Sequence, residues 1–477
     1  MFTVDELLNE YYPQVAKHSL LSKPLRFVLR HLLHEREIAD FGRTYPHYHD
    51  IDFVEQVLEY FNVSTSVRDT ERERIPSEGR VVIIANHPIG SIDGLALIKL
   101  ISEIRHDLKV VANQMLMAIE PLRDMLLPVN NMQGGTRKEH LAAIHEHLAG
   151  DGAVLIFPAG EVSRLRPQGV RDTHWHNGFL RIARQAKAPI LPIFIDAKNS
   201  PLFYGVSMVY KPLATVLLVK EMFKQRRKSL PMRIGELIPF SSYQSLSISL
   251  PDQVKLFKRH LYRVGTNRKG IFATQAAIAM PEDRKELSRA IRQCEHLGET
   301  SDGKHIYLYL HQGSSVIMRE IGRLREIAFR AVGEGTLHRR DIDKYDMHYH
   351  HLLLWDTKQL ELVGAYRLAS AKQVIEEHGQ AGLYTDSLFS YSEAMAPYFE
   401  KGLELGRSFV QPKYWGRKSL DYLWYGIGAF VKRYPEHRYM FGAVSLSNAL
   451  PDEAKAMLVY HYQHYFSNLA GIATPNN

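Results

Sequence analysis

The sequence predicts an α/β protein arranged in two folded units. Between residue 80 and about residue 200, short apolar runs alternate with helical patterns, which is typical of a mostly parallel sheet covered by helices. The chain has 477 residues, which is more than one ordinary hydrophobic core accommodates, so more than one domain is expected. A Ser-rich, Pro-containing and charged stretch over 243–304 separates this region from a second set of apolar runs.

The first unit is predicted to open with a helical segment over 1–70, in which leucines near 20–33 fall on one face. A domain over 71–262 follows, with buried strands indicated by short apolar runs. A helical pattern over Arg137–Leu148 lies between the second and third of these strands. The predicted strands are Val81–Ala85, Lys109–Ala112, Ala153–Phe157 and Pro189–Ile195.

The second unit is predicted to follow a linker at 263–300, which contains a charged helix over Pro281–Leu297. The domain itself covers 301–477 and mixes strands with amphipathic helices near 317–328 and 419–431. Its aromatic stripe at 462–466 is expected to lie in the core. The predicted strands are Ile306–Leu310, His351–Trp355, Leu362–Leu368, Leu405–Val410 and Tyr439–Val444.

Composition narrows the classes of protein that fit. Cys294 is the only cysteine, which excludes an internal disulfide and fits a reducing cytosol. We expect neither a signal peptide nor a membrane-spanning helix, because no basic n-region and no run of 18 apolar residues are present. The pairs and clusters of histidine lack the accompanying ligands of known metal motifs, so no metal site is expected.

Charge favours an anionic partner. The formal net charge is +8, and segment 220–233 holds six basic residues against Glu221 alone, directly after an apolar stretch at 214–219. This combination fits either a peripheral membrane contact or a solvated helix end. Nucleic acid is not expected, because no basic patch is interleaved with aromatic residues in a known module.

One loop carries the clearest chemical signal. Residues 86–94 read Asn-His-Pro-Ile-Gly-Ser-Ile-Asp-Gly and directly follow the first predicted buried strand. His87 and Asp93 therefore lie at the carboxyl end of a strand, where open α/β sheets bind their ligands. A histidine held by a carboxylate is a general base that activates a hydroxyl group.

Three further blocks accompany this loop, at 134–137 (Gly-Gly-Thr-Arg), 157–164 (Phe-Pro-Ala-Gly-Glu-Val-Ser-Arg) and 188–192 (Ala-Pro-Ile-Leu-Pro). Together, over about residues 75–240, the four blocks resemble the glycerolipid acyltransferases of phospholipid synthesis. Two departures are present: five residues separate His87 from Asp93 where that family has four, and Glu161 and Arg164 come two places late. These forms are similar to the haemolysin-like, ornithine-lipid branch and disfavour a glycerol-phosphate acceptor.

The resemblance implies a role for each matched residue. His87 takes the proton from an acceptor hydroxyl group as it attacks an acyl thioester, and Asp93 orients the imidazole. The predicted substrate-binding residues of this unit are Arg137, Glu161, Ser163 and Arg164.

The second unit carries an ordered set of charged motifs. They are Arg325-x3-Phe329, Asp343-x2-Asp346, Gly364-x2-Arg367-Leu368 and Glu404-x2-Arg407, followed by a basic loop at 411–418. Over about 300–470 this set resembles the ornithine N-acyltransferase branch of the GNAT superfamily, which is related to acyl-homoserine lactone synthases. The resemblance implies an α+β fold that holds an amine against a thioester.

The roles that follow from this second resemblance divide into three groups. Glu404 accepts the amine proton, directly or through water. Charged side chains form the amino-acid site or brace the fold, and the basic loop with the strand before it binds the phosphopantetheine arm. The charged set is Arg325, Asp343, Asp346, Arg367 and Arg407, and the arm-binding set is Val410, Gly416, Arg417 and Lys418.

The chain therefore resembles bifunctional ornithine lipid synthases. In that reading the C-terminal domain N-acylates ornithine with a 3-hydroxyacyl chain, and the N-terminal domain then O-acylates the 3-hydroxyl group. The implied donor is acyl carrier protein, an acidic partner that suits a basic enzyme, or acyl-coenzyme A. No cofactor is bound permanently. The lipid product implies a cytoplasmic enzyme, peripheral on the inner membrane, that takes an amino acid and a lyso-lipid as substrates.

Three alternatives remain open at this point. The first is a lysophospholipid O-acyltransferase whose GNAT-like domain only binds or regulates. The second is an aminolipid synthase that uses glycine or another amino acid. The third is a non-enzymatic protein that binds or lyses membranes, for which the histidine at 87 is dispensable.

Overall fold

The structure is a computed structural model, which describes residues 26–27, 29–31, 33–129, 138–209, 211–311, 313–446, 450–466 and 471–476. The side chains of 114–115 and 211–216 are not described. The chain divides into two compact units between Ala277 and Ile278, a position inside the predicted linker 263–300. The second part of that segment forms a helix and the first strand of the second unit.

Strands and helices alternate in the first unit. Its strands are β1 (Ser64–Ser66), β2 (Val81–Ala85), β3 (Lys109–Asn113), β4 (Leu126–Val129), β5 (Ala153–Ile156), β6 (Arg164–Arg166), β7 (Gly169–Arg171), β8 (Ile190–Ile195) and β9 (Ser229–Ile234). Its α-helices are α1 (Glu35–Thr44), α2 (Asp50–Phe61), α3 (Asp69–Arg72), α4 (Ile92–Ser102), α5 (Lys138–Ala149), α6 (Gly178–Gln185), α7 (Pro201–Val209), α8 (Lys211–Phe223) and α9 (Leu250–Gly265).

Within the described residues, the main sheet of this unit has the strand order β1-β9-β8-β2-β5-β3-β4. All pairs are parallel except β8 with β9. Strand β2 is buried at every residue, and its side chains alternate between two hydrophobic clusters, with Ile83 in one and Ile84 in the other. This alternation is what a central strand covered on both faces requires. The loop that follows β2 therefore leaves the middle of the sheet.

The second unit combines a larger sheet with flanking helices. Its strands are β10 (Glu295–Glu299), β11 (His305–Leu310), β12 (His350–Asp356), β13 (Glu361–Ser370), β14 (Phe389–Tyr391), β15 (Gly402–Val410), β16 (Tyr439–Phe441) and β17 (Ala473–Pro475). Its α-helices are α10 (Arg284–Ile291), α11 (Val316–Ala331), α12 (Ala371–His378), α13 (Ala396–Glu400), α14 (Ser419–Arg433) and α15 (Asp452–Tyr465).

The main sheet here has the order β10-β11-β12-β13-β15-β16. It is antiparallel except between β15 and β16. The register between β13 and β15 shifts near Arg367, and Arg407 on β15 has a φ of 50°. An irregularity of this kind changes the direction of side chains within a strand, and it lies at the charged cluster described below.

The predicted α/β class is confirmed, and most predicted strands are present within a residue or two. Two expectations for the second unit are wrong. The charged helix ends at Ile291, and Glu295–Glu299 form β10, because that segment pairs with β11. The aromatic stripe on α15 is not core: Tyr462, Tyr465 and Phe466 are each more than 60% exposed. Much of the predicted helix near 20–33 lies outside the described residues.

Candidate active site

The loop after β2 is fixed at its start by Asn86. The side chain of Asn86 donates to the carbonyl of Ile195 at 2.9 Å and accepts from the backbone N–H of the same residue at 2.7 Å. This pair of bonds ties the carboxyl ends of β2 and β8 together. The loop between Asn86 and helix α4 therefore starts from a rigid position.

Asp93 lies in the first turn of α4 and is fully buried. Its Oδ1 accepts the backbone N–H groups of Gly90, Ser91 and Gly94 at 3.0 Å, and its Oδ2 accepts that of Ile89 at 2.9 Å. The first turn of a helix presents N–H groups without partners and favours negative charge. The carboxylate therefore organises the loop that carries the histidine.

His87 faces this carboxylate. Its Nδ1 lies 3.2 Å from Oδ2 of Asp93, which is within ion-pair distance. Burial alone would lower the pKa of His87, yet Asp93 and the more distant Asp172 raise it above the ordinary 6.5. With Nδ1 turned to Asp93, Nε2 is the nitrogen available to a substrate hydroxyl group.

The same pairing acts on Asp93. Burial favours the neutral carboxyl group, but the charge of His87 and the backbone N–H groups outweigh it and hold the pKa of Asp93 below its usual value. Phe157 directly follows β5, and the centroid of its ring lies 4.4 Å from the centroid of the imidazole ring. The side chain of His87 remains 19% exposed, so a substrate can reach it.

A second carboxylate, Asp172, contacts the main chain of His87. It accepts the His87 N–H at 3.3 Å, the indole N–H of Trp175 at 2.8 Å and the hydroxyl group of Ser163. The backbone N–H of Ser163 in turn donates to the His87 carbonyl at 2.8 Å. Both polar groups of the His87 backbone are therefore held, and Ser163, predicted to bind substrate, is engaged in this brace.

The remaining predicted residues of this unit lie in two places. Glu161 accepts from the Thr173 hydroxyl group and from Arg164 Nη2 at 3.5 Å. The Arg164 guanidinium lies 5.6 Å from the ring centroid of Phe203 on α7, and its Nε and Nη1 are buried without a hydrogen-bond partner. Arg137 and the Gly-Gly-Thr block before it lie outside the described residues.

The charged motifs of the second unit converge on Asp346. This fully buried carboxylate accepts from Arg325 Nη2 at 2.6 Å and from Arg367 Nη1 at 3.0 Å. Burial favours its neutral form, but the two guanidinium groups outweigh burial and hold the pKa of Asp346 far below its usual range. Because Arg325 is also 1% exposed, Arg325 and Asp346 brace helix α11 against the loop before β12.

The outer part of this cluster is less completely paired. Arg367 Nη1 donates to Asp343 Oδ1 at 2.6 Å, and Arg407 Nη1 donates to Asp341 Oδ2 at 2.9 Å. Buried polar atoms without a hydrogen-bond partner remain on Asp343, Arg367 and Arg407. Two of these atoms, Asp343 Oδ2 and Arg407 Nε, lie 3.9 Å apart, too far for a hydrogen bond, and donors and an acceptor in this state are what a zwitterionic ligand needs.

Glu404 lies on β15 and is 1% exposed. Its carboxylate accepts the hydroxyl group of Tyr349 and the backbone N–H groups of Tyr384, at 3.3 Å, and Thr385, at 2.7 Å. These contacts place the predicted proton acceptor inside a hydrogen-bonded network. The network fixes the segment that carries Tyr384, whose ring lies 5.2 Å from the Arg367 guanidinium and 5.7 Å from that of Arg407.

The predicted arm-binding loop joins β15 to α14. Val410 pairs with Gly364 in the sheet, and its carbonyl accepts the indole N–H of Trp415 at 2.8 Å. Gly416 has a φ of 73°, a conformation that favours glycine. The other two predicted residues, Arg417 and Lys418, are exposed immediately before the first turn of α14.

Sequence reasoning missed Asp172 and Tyr262, whose hydroxyl group accepts the Asp172 N–H at 2.8 Å. These residues lie about 85 positions or more beyond His87 and match no motif, so no local signal points to them. Among the described residues, no group of three or more histidine, cysteine or acidic side chains could hold a metal ion. In the same part of the chain, no helix is long and apolar enough to cross a membrane.

The structure thus has a histidine–aspartate pair in the first unit and, in the second unit, a cluster of arginine and aspartate side chains with polar atoms that lack hydrogen bonds. A family described as acyltransferase matches residues 6–268, which is more than half of the chain and includes the His87 loop. The chain belongs to this acyltransferase family. A second family, the acetyltransferase (GNAT) domain, matches residues 324–425, which confirms the predicted order of the two domains.

Named relatives of the acyltransferase act on both nitrogen and oxygen. It is 34% identical over 211 residues to the glycine N(alpha)-acyltransferase of Bacteroides thetaiotaomicron, covering 42% of this chain and 63% of the relative. It is 29% identical over 252 residues to the lyso-glycine lipid O-acyltransferase of the same organism, covering 51% and 90%. The L-ornithine N(alpha)-acyltransferase of Rhizobium meliloti is 32% identical over 146 residues, covering 29% and 48%.

Proposed function

We propose that the enzyme acylates an amino acid twice, first on nitrogen in the second unit and then on oxygen in the first. The observation that carries this proposal is the presence in one chain of the His87–Asp93 pair, suited to a hydroxyl acceptor, and the partly unpaired Asp343–Arg367–Arg407 cluster, suited to a zwitterion. Relatives named for both kinds of acylation support it.

In the first step the amine nitrogen attacks the thioester carbonyl of a 3-hydroxyacyl donor. An amide bond forms, the carbon–sulfur bond breaks, and the amine proton leaves through Glu404, directly or through water. Arg367 and Arg407 hold the carboxylate of the amino acid, and the loop containing Gly416 holds the phosphopantetheine arm. Acyl carrier protein is the proposed donor, because its acidic surface complements the net charge of +8.

In the second step the 3-hydroxyl group of the new chain attacks a second thioester. His87 Nε2 takes the hydroxyl proton as the ester bond forms and returns it to the leaving thiolate. Arg164 has buried donors without partners, and we propose that it holds the carboxylate of the lyso-lipid. The order of steps is chemically fixed, because the hydroxyl group arrives with the first chain.

Two amino acids are candidates for the acceptor. Ornithine is the first candidate, because the charged motifs of the second unit resemble those of ornithine N-acyltransferases. Glycine is the second candidate, because the match to the glycine enzyme extends over 211 residues and that to the ornithine enzyme over 146. We further propose that the enzyme works at the cytoplasmic surface of the inner membrane, where the exposed basic residues Arg226, Arg227 and Lys228 would meet anionic lipid.

The test is expression in a bacterial host that lacks aminolipids, followed by thin-layer chromatography of radiolabelled lipids with ninhydrin detection. Wild type is expected to give a new ninhydrin-positive lipid from ornithine, or a lipid labelled by glycine. His87→Ala is expected to accumulate the lyso-lipid, and Arg407→Gln to abolish both products. Matched controls are His106→Ala and Arg438→Gln, which change exposed residues of the same type.

Two outcomes contradict the proposal. If no new amino-acid-labelled lipid forms with either acceptor, the two-step reaction is wrong. If His87→Ala instead raises a lysophospholipid while Arg407→Gln leaves the lipid profile unchanged, the first unit is a lysophospholipid O-acyltransferase and the second unit has no catalytic part.

A further inference from the structure

The strongest unassigned feature is the buried carboxylate of Asp172, which is 2% exposed. It contacts His87 through the main chain, whereas Asp93 contacts the ring. Its neighbours come from separate parts of the chain: Ser163 belongs to the sequence block at 157–164, Trp175 precedes α6, and Tyr262 lies on α9. No motif of the sequence and no part of the proposed reaction accounts for a second carboxylate at this place.

We propose that Asp172 is a positioning residue, which fixes the His87 backbone and supplies a second negative charge that keeps the imidazole strongly basic. Three donors converge on its two oxygens, from His87, Ser163 and Trp175. The two N–H donors among them cannot reverse their role, so they favour the ionised carboxylate. Burial raises the pKa of Asp172, and these donors oppose that effect.

Other charges lie around the pair, and the positive ones contact groups other than the Asp172 carboxylate. Asp93 on α4 adds negative charge on the ring side of His87. Lys258 on α9 donates to the Asp172 carbonyl at 2.8 Å and not to its carboxylate, and Arg171 lies over the ring of Tyr262 at 4.8 Å. Because carboxylates within a few ångströms favour the protonated imidazole, removing the Asp172 charge lowers the pKa of His87.

The first test measures His87 without any substrate. Diethyl pyrocarbonate modifies neutral imidazole, so its rate at His87, followed by peptide mass spectrometry against pH in the full chain, reports the pKa. Asp172→Asn is expected to lower that pKa. Trp175→Phe is the matched control, since it removes one N–H donor but leaves the charge, and it is expected to leave the pKa unchanged.

The second test rests on the proposed O-acyl transfer and uses synthetic N-(3-hydroxypalmitoyl)glycine or its ornithine analogue with palmitoyl-acyl carrier protein. Asp172→Asn is expected to reduce kcat about tenfold, with the acidic limb of the pH profile displaced to lower pH. If Asp172→Asn does not fold, Ser163→Ala, which loosens the carboxylate without removing it, is expected to reduce kcat more than it changes KM.

An unchanged pKa of His87 in folded Asp172→Asn overturns the proposal and leaves Asp172 a structural residue. An unchanged kcat in Ser163→Ala overturns it where the first variant is unfolded. Because the modification experiment needs no acyl substrate, a wrong assignment of the reaction leaves its result intact, and the two failures can be told apart.

Discussion

Replacing Asp93 by asparagine tests whether one carboxylate both folds the loop after β2 and supports the base. Asparagine keeps one oxygen and substitutes an NH₂ donor for the other. If the amide nitrogen takes the position of Oδ2, the N–H of Ile89 at 2.9 Å faces a donor and His87 loses its negative partner. The opposite orientation sets three backbone N–H groups against a donor, so the first arrangement costs less.

The magnitude follows from these contacts. One buried donor without an acceptor costs about 1–3 kcal/mol. Loss of the buried charge paired with His87 brings the total to about 3–5 kcal/mol, the range for breaking a buried ion pair. If the loss is confined to the loop, this corresponds to amide exchange about 200 to 5,000 times faster, and O-acyl transfer is expected to fall by about 10²–10⁴.

Hydrogen–deuterium exchange of peptides spanning 86–102 measures the first effect, and turnover of a synthetic lyso-lipid measures the second. Exchange at Ile89 is expected to accelerate most. Asp151→Asn is the matched control, because that carboxylate is 60% exposed and pairs at the surface with Arg80. Wild-type exchange at all four loop amides would refute the reasoning, whatever the activity.

Three further changes test other parts of the molecule. The rate of O-acyl transfer is expected to rise with pH through a pKa above 6.5, because His87 must be neutral to act. The ion pair of His87 with Asp93 contributes its full stability below pH 6.5, and this stability is lost as the pH rises through the raised pKa of His87. Arg227→Gln combined with Lys228→Gln is expected to weaken binding to vesicles containing phosphatidylglycerol by about 2 kcal/mol, or about 30-fold, in a sedimentation assay. Asp346→Asn is expected to destabilise the second unit by about 3–5 kcal/mol in urea unfolding followed by pulse proteolysis, because two buried guanidinium groups lose their charged partner.

Each of these has a result that contradicts it. A flat pH profile between 5 and 9 would exclude His87 as the base that titrates. Equal loss of vesicle binding in a variant neutralised on the opposite face of the sheet would show that only net charge matters. Unchanged urea unfolding in Asp346→Asn would remove the bracing role. That opposite-face control changes Arg181 and Lys187.

The sequence predicts well whatever depends on local pattern. The strands β2, β5 and β8 are uniform apolar runs, and burial on both faces of a parallel sheet produces such runs. His87 and Asp93 lie on one short loop, so their spacing alone brings them together. In the second unit, the charged motifs mark residues that the structure places in one cluster around Asp346.

The features that the sequence could not predict depend on contacts between residues far apart in the chain, or on whether another element packs against a helix face. Asp172 reaches His87 across 85 residues, and its hydrogen bonds have no periodicity to reveal them. Glu404 is predicted as a proton acceptor, yet its three donors come from segments 19 to 55 residues away. Tyr462 and its neighbours on α15 have the composition of a core, but in the described residues no part of that helix is buried.

His87 and Asp93, on the loop after β2, differ in how much their replacement would destabilise the fold during evolution. The side chain of His87 contributes one ion pair and one ring contact, so a lineage that no longer made the proposed ester could replace it at a smaller cost to folding. Asp93 supplies the acceptor for four backbone N–H groups and could not be discarded with it. A descendant that has lost the reaction is therefore expected to retain the aspartate at 93 long after the histidine at 87 has changed.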